Sequence, residues 1–76
     1  MVTLYVSWEC EACREAIAYF GRKNIPAHIL NVRASRHFME RMISKGGIAT
    51  PFITIGDQVL HSFDVERIER LLEGEA

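Results

Sequence analysis

Surplus positive charge, cysteine and long apolar runs are all scarce in this 76-residue chain, and each scarcity removes a class of function. Nine Lys and Arg stand against ten Asp and Glu, a formal net charge of -1, so no excess cation is available to neutralise nucleic-acid phosphates. No apolar stretch approaches the roughly 20 residues that span a bilayer. The N-terminus has neither the basic start nor the apolar core of a secretory signal. These absences predict no nucleic-acid partner, no membrane partner and a cytoplasmic address. Repeats, low-complexity tracts and Pro/Gly/Ser linkers are missing too, so residues 1–76 are expected to form one domain. A hydrophobic share of 49% with 25% charged residues is that of a chain that folds alone, and a monomer is expected.

The two cysteines are Cys10 and Cys13, separated only by Glu11 and Ala12. A structural disulfide contributes most when it closes a long loop, so this pair adds little as a staple. A reducing cytosol would hold it open unless it cycles, and reversible chemistry is the better explanation. A tetrahedral zinc site needs about four ligands. The histidines available are His28, His37 and His61, whose spacing does not match a finger, so they read as surface or strand residues and no metal is expected. The competing reading is a metal or iron-sulfur module in which two chains share a centre through Cys10.

Periodicity places the pair. Val2–Val6 is β-branched and aromatic and reads as a strand, broken by Ser7-Trp8-Glu9. A helix from about Cys10 to Lys23 follows, with Cys10, Cys13, Ile17 and Phe20 on one stripe and Asn24 suited to its end. The stripe makes Cys13 the less accessible sulfur. Ala27 to Val32 reads as a second strand, and Ser35 caps a second helix with Phe38, Met39, Met42 and Ile43 inward, ended by Gly46 and Gly47. Phe52–Ile55 and Val59–His61 flank the turn Gly56-Asp57-Gln58 as a hairpin. Ser62 or Asp64 caps a last helix with Val65, Ile68, Leu71 and Leu72 inward, before a fraying Gly74-Glu75-Ala76 tail. Tyr5 and Phe63 are expected in the core. The order βαβαββα calls for a right-handed parallel crossover followed by an antiparallel hairpin, hence an α/β fold with a four-stranded mixed sheet flanked by three helices. That arrangement is the thioredoxin fold.

A C-x-x-C pair after a strand, at the opening of a helix, is a redox motif. The unpaired N–H groups and positive dipole end of the helix favour the thiolate on the nearer sulfur, which makes Cys10 the nucleophile and Cys13 the resolving thiol. The carboxylates of Glu9 and Glu11 oppose that effect, so only a moderate depression of the Cys10 pKa is expected. Trp8, just before the motif, either covers the disulfide and meets a partner or packs against the sheet end.

Leu4-Tyr5, Cys10-x-x-Cys13, Thr50-Pro51, Gly56-Asp57 and Ser62-Phe63-Asp64 together resemble the glutaredoxin family and its NrdH-type redoxin relatives, over nearly the whole chain. The resemblance implies a thiol-disulfide oxidoreductase that acts on disulfide-containing protein substrates. It would hold no bound cofactor and be recharged by glutathione or a flavoprotein disulfide reductase. It further implies a cis peptide before Pro51, a Thr50 backbone that pairs with the backbone of the bound thiol substrate, and partner contacts at Ser62, Phe63 and Asp64. Where glutaredoxins usually carry a lysine three positions before the first cysteine, this sequence has Ser7. Where they carry Pro-Tyr between the cysteines, it has Glu11-Ala12.

Overall fold

All five residues of the first strand, β1 (Val2–Val6), are buried, because it is hydrogen-bonded on both sides and covered on both faces. The computed structural model describes residues 1–74, so the part of the expected fraying tail at Glu75 and Ala76 lies outside the described residues. After β1 come α1 (Glu11–Arg22), β2 (Ala27–Asn31), α2 (Arg36–Ser44), β3 (Phe52–Ile55), β4 (Gln58–Leu60) and α3 (Val65–Leu72). The sheet order is β2-β1-β3-β4. β1 runs parallel to β2, from Val2 opposite Ala27 to Val6 opposite Asn31. It runs antiparallel to β3, from Val2 opposite Ile55 to Tyr5 opposite Phe52. β3 and β4 form the hairpin, with Ile53 opposite Leu60. This is the mixed four-stranded sheet and three-helix arrangement expected from the sequence.

Alternation along β1 divides the core. Val2, Leu4 and Val6 join Cys13, Ala16, Tyr19, Phe20 and Ile68 from α1 and α3 in one cluster. Tyr5 joins Phe52, Val32 and Met42, with Phe38 and Met39 of α2 beside them, on the opposite face. Each fully buried aliphatic or aromatic side chain, such as Leu4, Phe20, Ile53 or Ile68, contributes about 1.5–3 kcal/mol over leaving it in water. The motif helix is thereby seated on the larger cluster.

Helix ends follow local chemistry. Ser35 Oγ accepts from Phe38 N at 3.4 Å, capping α2. At the end of α1, Asn24 adopts a left-handed φ of 56°. Its N–H donates to Gly21 O at 3.1 Å, and Ile25 N donates to Phe20 O at 2.9 Å, a Schellman closure.

Some expectations need correction. Asp64, not Ser62, caps α3, its Oδ1 accepting from Arg67 N at 3.3 Å. Gln58 belongs to β4, paired with Ile55, and His61 lies beyond it, so the turn is shorter than the expected three residues. β2 ends at Asn31, although Val32 is still tied to β1 through its N–H to Val6 O at 2.9 Å. Ile43 is 57% exposed. It stands about 100° around the helix from the buried Met42, outside the stripe that α2 presents to the sheet. Val65 and Leu72 are the first and last residues of α3 and are exposed, because only its middle, at Ile68, lies fully over the sheet. The histidines are at the surface as expected: His28 is exposed on β2, His37 on α2 and His61 just beyond β4. Phe63 is half-buried against the larger cluster, and Met39 half-buried against the smaller.

Candidate active site

The chain leaves β1 at Val6 and must turn sharply to begin α1. Glu9 absorbs that turn at φ 58°, a left-handed conformation uncommon for a residue with a side chain. Cys10 then takes the N-cap in an extended conformation, φ -123° and ψ 105°. In the cap position usually held by a Ser, Thr or Asp oxygen, the sulfur accepts the backbone N–H of Cys13 at 3.1 Å. The cap carbonyl accepts Arg14 N at 3.1 Å. One first-turn donor, Cys13 N, and the positive end of the α1 dipole therefore face Cys10 Sγ, where negative charge would be held in the reduced state.

Cys10 and Cys13 are joined in a disulfide, their Cα atoms 5.2 Å apart. One turn into the helix, Cys13 is 1% exposed, whereas Cys10 is only half-buried. The two sulfurs thus differ in access. Glu9 and Glu11 on either side of Cys10 are exposed, and so is Arg14.

The other expected site residues divide into groups. Trp8 is 69% exposed, which excludes simple packing at the sheet end. It lines a surface groove of about 350 Å³ with Cys13, Arg14, Ile17 and the β2 residues Ile29 and Asn31. The Thr50–Pro51 peptide is cis and Pro51 is buried. Thr50 reaches the motif loop directly, its Oγ1 2.7 Å from Ser7 Oγ. Ser62 and Asp64 instead line a separate groove of about 280 Å³ with His61 and Arg67, which the cysteines do not share. Phe63 turns inward, its ring 5.7 Å from that of Tyr19. Among the described residues, no group of three or more His, Cys, Asp or Glu gathers in metal-binding geometry. No helix among them is long and apolar enough to cross a membrane.

Ser7 and the groove residues Ile17 and Ile29 were not legible as site residues. Ser7 drew notice only through the lysine it replaces, and its contact depends on strand register.

The architecture defines the class: this is a thioredoxin-like fold with its cysteine pair opening the first helix. Solved structures share it, among them the following. The chain aligns with a single-substitution mutant of the thioredoxin-like protein BC3987 at a TM-score of 0.89 and 19% identity, covering 95% of this chain and 99% of that one. It aligns with the glutaredoxin-like protein NrdH-redoxin from Escherichia coli at 0.81 and 21%, covering 92% of each. With the glutaredoxin (grx-1) from Archaeoglobus fulgidus the values are 0.82 and 18%, covering 96% and 86%. No curated protein matches the sequence. The glutaredoxin family model matches residues 2–60, and the chain belongs to that family. Membership and a joined Cys10–Cys13 pair support thiol-disulfide redox function.

Proposed function

We propose that this chain is a dithiol redoxin that reduces protein disulfides. The observation that carries the reading is the asymmetry of the pair: Cys10 half-exposed at the helix cap, Cys13 buried one turn behind it. The Cys10 thiolate attacks one sulfur of a substrate disulfide, forming a mixed disulfide and releasing one substrate thiolate, which takes a proton from water. Cys13 then gives up its proton and attacks Cys10 Sγ as the thiolate, and the second substrate sulfur leaves as a thiolate that takes up that proton, closing the Cys10–Cys13 disulfide. Two electrons pass from the dithiol to the substrate. An external two-electron donor, glutathione or a flavoprotein disulfide reductase, restores the dithiol in the cytoplasm. The flavoprotein route is favoured by Ser7, which offers no cation to a glutathione carboxylate. The thioredoxin-like activity profile of the structurally similar NrdH-redoxin agrees with it. In this reading Trp8, Thr50 and Pro51 meet the partner beside Cys10, and Ser62, Phe63 and Asp64 border its far side.

Two variants test the reading. Cys10→Ser is expected to abolish disulfide reduction. Cys13→Ser is expected to accumulate a covalent mixed disulfide with a protein substrate, visible as a mass adduct that dithiothreitol removes. Full dithiol turnover by Cys13→Ser would refute the assignment of the resolving thiol.

A further inference from the structure

We infer that Ser7 is a positioning residue: its hydroxyl pairs with Thr50 and fixes the loop that receives the backbone of a peptide disulfide. This deepens the redoxin reading above and rests on it.

The sheet itself raises the need for such a contact. The β1–β3 ladder closes at Tyr5 opposite Phe52. The next place in register sets Val6 opposite Pro51, but Val6 points its carbonyl at β2, where it accepts Val32 N at 2.9 Å, so no β1–β3 backbone bond falls there and β3 itself begins only at Phe52. One place further, the same register sets Ser7 opposite Thr50, and there the two side-chain hydroxyls meet at 2.7 Å. A cross-strand Ser–Thr pair thus continues the alignment that the backbone abandons. Both residues are half-buried, so the bond is sheltered from competing water.

Ser7 belongs to the loop that leads into Cys10, and Thr50 to the loop that leads into β3. The pair therefore ties the attacking sulfur's loop to the loop opposite. Thr50 lies outside the β3 ladder, which begins at Phe52, so regular sheet pairing does not orient its peptide groups. The hydroxyl bond supplies that orientation. A substrate with a peptide backbone around its disulfide benefits from an oriented Thr50, whereas a small disulfide with no peptide groups has nothing to pair there. A serine at this position exchanges a charged ligand anchor for a neutral loop tie.

The test compares two substrates of pre-reduced protein in single-turnover oxidation, read by mass spectrometry after acid quench: a short cystine-containing peptide and bis(2-hydroxyethyl) disulfide. Ser7→Ala is expected to lower the second-order rate constant for the peptide by about threefold to tenfold, the worth of one sheltered neutral hydrogen bond. Its rate with bis(2-hydroxyethyl) disulfide is expected to stay within about twofold, since general loosening would slow both alike. Ser7→Thr keeps a hydroxyl and restores the peptide rate. Thr50→Val removes the other hydroxyl, produces the same change in the ratio between the substrates, and adds nothing further when combined with Ser7→Ala. If Ser7→Ala fails to fold, Thr50→Val and Ser7→Thr carry the comparison. Equal losses on both substrates, or no loss on either, would overturn the role of Ser7. Pre-reduced wild-type protein that reduces neither substrate would instead sink the redoxin reading.

Discussion

Tyr5 shows how far one position can be read from the chain alone and where reading stops. Its place in an alternating, β-branched strand marks it for the core, and it is fully buried, its ring 5.8 Å from that of Phe52. Its hydroxyl, however, has no hydrogen-bond partner among the described residues. No pattern in sequence announces that, because it depends on which apolar side chains α2 brings over the strand. A buried donor without a partner forgoes its hydration and gains nothing in return. Tyr5→Phe removes the oxygen and keeps the ring, so it is expected to raise stability by about 1 kcal/mol. The gain would appear as a higher urea midpoint at unchanged slope. A lower midpoint would show that the hydroxyl is bonded in solution. Ser7 makes the complementary point at the site. Its hydroxyl is well paired, but the partner lies 43 residues away and is found only once the strands are aligned.

The joint between α2 and β3 leaves no room for a side chain at Gly47. Gly47 follows α2, and a Cβ there would stand 2.6 Å from Met42 Cγ and 2.8 Å from Phe52 Cγ. Met42 and Phe52 are both core residues of the smaller cluster, so neither has free space to retreat. Gly47→Ala is therefore expected to destabilise the fold by about 1–3 kcal/mol, the usual range for overpacking. Chemical denaturation of the variant measures it, and an unchanged midpoint would mean that α2 slides on the sheet without resistance. Because Phe52 directly follows Pro51, the same strain would reach the Thr50 loop that is tied to Ser7. From sequence, Gly46 and Gly47 marked the end of α2, but not this close approach. The elements and their order were legible because strand alternation, helix stripes and capping residues agree with one another. The inward assignments of Ile43, Val65 and Leu72 failed for one reason. Periodicity tells which residues could share a face, whereas the width of surface the sheet offers decides which of them are covered.

Across the molecule, the disulfide closes too short a loop to contribute much to holding the fold together, which leaves the pair free to cycle. The two ends of the chain are joined instead through α1 and α3. Tyr19 on α1 is buried, stands edge-on to Phe20 with ring centroids 5.3 Å apart, and donates its hydroxyl to Glu69 Oε2 on α3 at 3.5 Å. Burial raises the Tyr19 pKa above its ordinary 10.0, and the charge of Glu69 and the hydrogen bond to it raise it further, with Arg22 opposing them in part. The sign of the consequence is fixed by which state loses its proton first. In the unfolded chain Tyr19 ionises near 10.0, whereas the folded chain retains the proton to higher pH. Its contribution is complete below 10.0 and is lost as pH rises through the folded value. Urea midpoints of the oxidised protein, in which the cysteines do not titrate, are expected to fall more steeply above pH 10.0 for the wild type than for Tyr19→Phe. Every other side chain is common to the two proteins, so the difference between the two curves isolates the Tyr19 hydroxyl. Curves that stay parallel through this range would show that α1 and α3 are not coupled through its hydroxyl.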